Sequence, residues 1–186
     1  MMSLKNHLDP HFLFNNLNIL SSLIDKDKAL SKEYLDKFAS VYRIILKSET
    51  DDLTTIEEEL QLVQAYVHLL KIRFQQNTQI DIDVNPIHYP KGIPPLSLQM
   101  LIENAIKHNM ATKTQPLYIK VYTDADMIIV ENNIQQRKYA ANDRKGSGLE
   151  NIENRYAYFS DQAIQIEEND KIFKVLLPLI DIDYEI

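Results

Sequence analysis

Only three glycines occur in the chain, and two of them, Gly146 and Gly148, flank one serine at the mouth of an expected helix, "GSGLENIENRYAYF". Paired glycines let backbone approach a ligand closely, and a helix start offers unbonded N–H groups to an anion such as phosphate. A second group lies in "IENAIKHN". On a helix Glu103, Asn104, Lys107 and His108 cluster over a single turn, joining an acid, a neutral oxygen ligand, a cation and an imidazole. Carboxylate and amide oxygens suit Mg2+, which keeps several waters and binds nucleotide phosphates through one or two protein groups. The bland alternatives are a flexible loop ahead of a helix, a solvated helix face, and a His108 that packs or caps, because short motifs also occur by chance.

The third group is "HLDPHFLFNNLN" at His7–Asn18. If Asp9 is an N-cap and Pro10 the first helical residue, the proline costs little, because the N–H it lacks would have no partner there. His11 then sits in the first turn, where the helix dipole favours neutral imidazole and leaves one ring nitrogen with its lone pair. A continuous helix from Leu4, kinked at Pro10, is the other reading. Either way His11, Asn15, Asn18 and Ser22 fall opposite the apolar arc of Phe12, Leu13, Leu17, Ile19, Leu20, Leu23 and Ile24.

Those groups need elements to hold them. "DKDK" at Asp25–Lys28 separates the first helix from a second, with Leu35, Phe38, Ala39, Tyr42, Ile45 and Leu46 on one face. So short a connection predicts an antiparallel hairpin, and its exposed apolar faces predict dimerisation into a four-helix bundle. Lys47–Thr55 reads as a polar linker, closed by the capping box Thr55-Ile56-Glu57-Glu58. A third helix should bury Ile56, Leu60, Val63, Val67, Leu70 and Phe74. "TQIDIDV" then alternates as a strand, prolines lead into the helix "LSLQMLIENAIKHN", and "LYIKVYT", "MIIVEN", "AIQIEE" and "KIFKVLLPL" read as further strands. The expected class is α+β: a helical hairpin over 1–50, then a domain over 51–186 with helices covering one face of a mixed sheet.

Composition narrows the function. With 27 acids against 20 bases the formal charge is −7, and no stripe of Lys or Arg exists, so direct nucleic-acid binding has no electrostatic support. The absence of Cys removes disulfides, thiolate catalysis and zinc-thiolate sites, and fits a reducing, cytoplasmic compartment. No apolar run is long enough to span a bilayer, and no signal peptide is visible. The sequence starts almost on top of a helical pattern, so sensing or membrane-anchoring segments are expected ahead of it.

Taken together, the three groups resemble the sensor histidine kinases of the LytS/YehU type, over nearly the whole sequence. "DPHFLFNNLN" is similar to that family's phosphoacceptor segment, "TIEEELQLVQAYVHLLKIRF" to its linker-proximal helix, "IPPLSLQMLIENAIKHN" to its N box and "GSGLENIENRY" to its second glycine box. The resemblance implies a dimerising, phosphotransferring hairpin with His11 as phosphoacceptor, followed by an ATP-binding α/β sandwich of the GHKL class shared with gyrase, Hsp90 and MutL. By that resemblance Asn104 would coordinate Mg2+, and Lys107 and His108 would contact phosphates. Gly146, Gly148 and Leu149 would hold ATP beneath a lid at about 135–145. Glu103 would orient a water or the imidazole, and Asn15 would stand beside the phosphoacceptor site.

One stretch departs from the family. Its first glycine box carries Asp-Asn-Gly-x-Gly, the Asp accepting from the adenine amino group, whereas this chain reads "VENNIQQ" with Asn132 at the Asp position, Asn133 next and Ile134 for glycine. Asn keeps an acceptor oxygen but loses the charge that strengthens the bond. A one-residue shift would offer Glu131, which strand alternation turns the other way. The resemblance therefore implies an ATP-dependent protein-histidine kinase, phosphorylating His11 and relaying the group to a response regulator with a LytTR DNA-binding domain. Its rivals are a dimeric scaffold that keeps the fold without productive ATP turnover, and a free-standing GHKL ATPase.

Overall fold

The computed structural model describes residues 10–48, 51–74, 77–135 and 147–182, and within them the side chains of 13–46, 51–72, 77–135 and 148–182. Helix α1 spans Pro10–Ile24 and α2 spans Lys28–Ser48. Pro10 is the first described residue, and Asp9 and Leu4, on which the two readings of this helix start depend, lie outside the described residues. Asp27 starts α2, its carboxylate accepting from the Leu30 N–H at 3.0 Å. The Tyr34 hydroxyl reaches back to Asn16 Oδ1 at 2.5 Å, eight residues before the end of α1 and six after the start of α2, as an antiparallel pair requires.

The apolar arcs of this hairpin divide in two. Tyr34, Phe38, Val41 and Ile45 are buried, whereas Leu17 and Ile24 of α1 and Leu35, Ala39 and Leu46 of α2 are exposed, so the hairpin does expose apolar surface, but only part of each arc. The buried residues face the rest of the chain, because α2 packs on α3 (Ile56–Phe74) within one continuous core. The exposed ones face outward, and Phe14 joins them.

Helix α3 opens with the capping box read from the sequence. Thr55 Oγ1 accepts from the Glu58 N–H at 3.2 Å, and Glu58 Oε2 accepts from the Thr55 N–H at 3.3 Å. Thr54–Thr55 also form β1, an antiparallel ribbon with β3 at Gly92–Ile93 that is too short to be seen by periodicity. Ile56, Leu60, Val63, Val67 and Leu70 are buried as expected; the Phe74 side chain lies outside the described ones.

The five-stranded sheet has the order β2-β4-β5-β7-β6, from Thr78–Asp83, Leu117–Asp124, Met127–Asn133, Ile172–Pro178 and Gln165–Glu168. β2 and β4 are parallel and every other pair is antiparallel, so the sheet is mixed. Ile119, Val121, Ile128, Val130, Val175 and Leu177 point to one face and share a core with α3, α4 (Ser97–His108) and α5 (Ser147–Phe159). The other face carries a row in register across all five strands: Asp81, Lys120, Glu131, Lys174, Glu167. Its signs alternate, and Lys174 Nζ lies 3.1 Å from Glu131 Oε2. Among the described residues no helix is long and apolar enough to cross a membrane.

Candidate functional site

Helix α4 sets the geometry. Ser97, Leu98, Leu101, Ile102 and Ala105 are buried, which turns Met100, Glu103, Asn104 and His108 to the half-buried flanks and Lys107 to solvent. Met100, Asn104 and Lys107 follow one another at helical spacing and share a face. The start of α5 lies over that face: a Cβ placed on Gly148 would come within 3.8 Å of Met100 Cε and meet no closer atom. Neither space nor a left-handed backbone therefore demands glycine at 148. A glycine here suits close approach of a phosphate-bearing ligand to the backbone at the start of α5. Leu149 is buried beneath it. Gly146 and the expected lid from 136 to 145 lie outside the described residues.

The end of β5 closes a second side. Asn132 pairs with Ile119 and Phe173, points to the helix-covered face, and is 5% exposed. Its Nδ2 donates to the Asn133 carbonyl at 2.8 Å. Glu131 points to the opposite face, where its Oε2 accepts from the Tyr122 hydroxyl at 3.1 Å and meets Lys174. Burial, together with the bond to Glu131, raises the Tyr122 pKa, and Lys174's own bond to Glu131 raises the Lys174 pKa. A register shift that would bring Glu131 to the helix side is thus absent. Asn109 ties this strand end to α4: its Oδ1 accepts from the Gln135 N–H at 2.7 Å while its Nδ2 donates to the Ala105 carbonyl at 2.8 Å.

The opposite end of α4 is held by charge. Leu96, the residue before the helix, has φ 66° and gives no side-chain cap. Glu59 of α3 supplies one instead, accepting from the N–H groups of Leu96 and Leu98, each at 3.0 Å. Burial pushes its carboxyl up to about 7, against the lowering effect of those amides and of the Arg155 charge. Arg155 of α5 donates to the Pro95 carbonyl at 2.6 Å, and burial lowers its pKa. Burial likewise raises the Tyr156 hydroxyl beside it.

Asn104, Lys107, Gly148, Leu149 and Asn132 are thus arranged around α4, α5 and the end of β5, and Glu103 is the flank of α4 nearest α3, where its Oε1 accepts from the Tyr66 hydroxyl at 3.1 Å. His11 and Asn15 stand apart on α1, in its first turn and a half; Asn15 is exposed, and the His11 side chain lies outside the described ones. A different concavity, an open cleft of about 630 Å³ lined by Met110, Thr112, Tyr118, Asn133, Ile134 and Gln135, contains none of Asn104, Lys107 or Gly148. The α4 face has the better chemistry, since among the described residues that cleft offers no charged group for an anion or a metal. Glu59, Tyr66, Asn109 and Arg155 were not among the residues singled out from sequence. For Glu59 and Tyr66 a signal existed, since both fall at the i+3 steps of α3's own buried stripe.

Comparison with known proteins agrees with the sequence pattern. The family described as histidine kinase matches residues 1–78, which cover the hairpin and α3. The sensor protein LytS of Enterococcus faecalis is 30% identical over 182 residues, covering 89% of this chain and 31% of its own length. The sensor histidine kinase/phosphatase LytS of Staphylococcus aureus is 32% identical over 113 residues, or 61% of this chain and 19% of its own. A solved structure of the Acinetobacter baumannii histidine kinase AdeS aligns over 91% of this chain and 98% of its own, with TM-score 0.46 and 15% identity. The chain spans about a third or less of the curated relatives named here. By sequence it belongs to the histidine kinases, among the sensor proteins of the LytS type.

Proposed function

We propose that this chain is the phosphotransfer and nucleotide-binding part of a two-component sensor kinase of the GHKL class. It would move the γ-phosphoryl group of ATP to His11 and then to an aspartate on a response regulator of the LytTR type. The observation that carries the reading is the seat of Gly148 on Met100, one helical turn from Asn104 on the same face of α4. It supports the reading by setting the two most characteristic stretches of the family pattern beside each other.

Within that space Asn104 would take one position on Mg2+, and Lys107 and His108 would offset phosphate charge. Bound ATP with its metal supplies the electrophilic phosphorus, and the chain supplies position and counter-charge. Among the described residues no three His, Asp or Glu side chains converge on a metal site, so the ion would draw its other ligands from phosphate and water. With Nδ2 of Asn132 engaged by the Asn133 carbonyl, Oδ1 is the atom suited to accept from the adenine amino group. Neutral His11 in the first turn of α1 would be the nucleophile, with the exposed Asn15 one turn further along the helix.

The functional division follows the sequence reading, with 1–50 as hairpin and 51–186 as catalytic domain. The outward stripe of Phe14, Leu17, Ile24, Leu35 and Leu46 supports a homodimer through the hairpin, forming a four-helix bundle. DNA would be the regulator's ligand, and contact with a membrane would belong to the remaining length of the relatives.

The replacement of the family's Asp by Asn132 favours one second reading, a dimeric scaffold without productive turnover. Incubation with Mg2+ and γ-labelled ATP separates the two. Acid-labile, alkali-stable label that disappears in His11→Gln supports the kinase. A folded dimer that binds no nucleotide and takes no label supports the scaffold.

A further inference from the structure

The ladder between β4 and β5 ends at Ile119 and Asn132, and the next pair in register would be Tyr118 with Asn133. There a side chain takes the place of backbone. The Tyr118 N–H donates to Asn133 Oδ1 at 2.7 Å, and Asn133 Nδ2 donates to the Pro116 carbonyl at 3.2 Å, so one amide grips the start of β4 on either side of Leu117. Gln135 Nε2 donates to the same Pro116 carbonyl at 2.7 Å, and the Ile134 N–H donates to the Lys171 carbonyl, just ahead of β7, at 2.8 Å. The end of β5 is therefore pinned on both sides. Its Asn133 carbonyl is turned onto the preceding side chain, where it accepts from Asn132 Nδ2 at 2.8 Å. A carbonyl oxygen only accepts, so it decides which end of the Asn132 amide faces it. Oδ1 is the atom left over, without a partner among the described residues, on a side chain that points to the helix-covered face.

We infer that Asn133 is a positioning residue for the nucleotide base: its carbonyl orients the Asn132 amide so that only an acceptor meets the ligand, which selects a 6-amino purine over a 6-oxo purine. The inference rests on the nucleotide-binding reading above and deepens it. An unheld asparagine could present either end, Oδ1 to an amino group or Nδ2 to an oxo group. Held as it is, Oδ1 would meet the oxygen of a 6-oxo purine with no proton between them, leaving both groups desolvated and unpaired. The same contact disfavours aspartate at 132. A carboxylate has no N–H to give the Asn133 carbonyl and would set a charged oxygen against it. Restoring the acid that the family pattern carries at this position would therefore weaken nucleotide binding in this chain.

The test measures binding to the full 186-residue chain by isothermal titration calorimetry, with Mg2+ and either ATP or ITP, its 6-oxo counterpart. The parent protein is expected to bind ATP about tenfold more tightly than ITP, the order of one buried hydrogen bond. Asn133→Ala unpins the carbonyl and should bring the two affinities to within about threefold of each other, since the amide at 132 is then free to turn. Asn132→Asp should weaken ATP binding about tenfold, and by distinctly less when combined with Asn133→Ala, because the unpinned carbonyl can move away from the carboxylate. An ATP-to-ITP ratio that stays at the parent's value in Asn133→Ala overturns the inference, and a folding defect, which lowers both affinities together, gives that result. Asn132→Asp binding ATP as tightly as the parent, or losing as much with Asn133→Ala as without it, also overturns it. A parent that binds both nucleotides equally overturns the inference and leaves the nucleotide reading standing, whereas a parent that binds neither rejects both.

Discussion

At its first turn α4 is held by a carboxylate from α3 that is 2% exposed, while its last two turns carry Glu103, Asn104 and Lys107 at half-buried to exposed positions. Both ends use the same residue types. At the first, Glu59 accepts from two buried backbone amides, and Arg155 neutralises part of its charge while bonding Pro95. At the second, the acid and amide groups remain within reach of solvent and of a ligand. The fold therefore places its buried acid, Glu59, where it anchors the helix, and keeps the groups suited to chemistry where water and phosphate can reach them. Stability and activity should come apart along a single helix.

Substitutions at the two ends can break that contrast. Asn104→Ala should reduce His11 labelling at least a hundredfold, the order expected for losing a metal-positioning group. Its unfolding free energy in urea should stay within about 0.5 kcal/mol of the parent's, since the amide is only half-buried and serves the ligand and not the core. A comparable loss of stability would mean that the open end is structural too. Glu59→Ala should behave in the reverse sense, destabilising the chain by about 4 kcal/mol because the amides of Leu96 and Leu98 and the Arg155 charge lose their partner. Equilibrium unfolding in urea measures it directly.

The pH dependence of stability sharpens the comparison. With its folded pKa raised from 4.5 to about 7, Glu59 holds its proton in the native state where the unfolded chain has released it. Its contribution should be fullest below pH 4.5 and should fall by roughly 3 kcal/mol as pH rises through 7. Glu59→Gln should flatten that part of the stability profile; a profile identical to the parent's would show that the carboxyl titrates in its ordinary range. The smallest effect is expected at the capping box. Thr55→Ala should cost about 1 kcal/mol in the same unfolding assay and leave labelling unchanged.

Helix α3 shows how far periodicity reaches. Its stripe of Ile56, Leu60, Val63, Val67 and Leu70 was legible because each is apolar and spaced by three or four residues. Glu59 and Tyr66 occupy the same stripe and are also buried, but a carboxylate and a phenol read as surface groups until their partners on α4 are known. Leu62 and Leu69 are buried on a second side, since α3 lies between α2 and the sheet, an arrangement that no local pattern encodes. In the hairpin the opposite error occurs. Leu17 and Ile24 look like core from their spacing and are exposed, while Asn16 is buried because Tyr34 satisfies it. The strands, their order along the chain and the helix-facing side of Asn132 followed from alternation, which survives tertiary packing better than helical arcs do.

The alternating row on the uncovered face of the sheet has an uneven outcome at the two margins. With five strands the row begins and ends on an acid, Asp81 on β2 and Glu167 on β6, and each margin carries another, Asp83 and Glu168. A second copy aligning its free backbone edge along either strand would bring carboxylates against carboxylates in the narrow space between neighbouring strands. The surplus negative charge of the chain is thus placed where unpaired strands would otherwise invite stacking into aggregates.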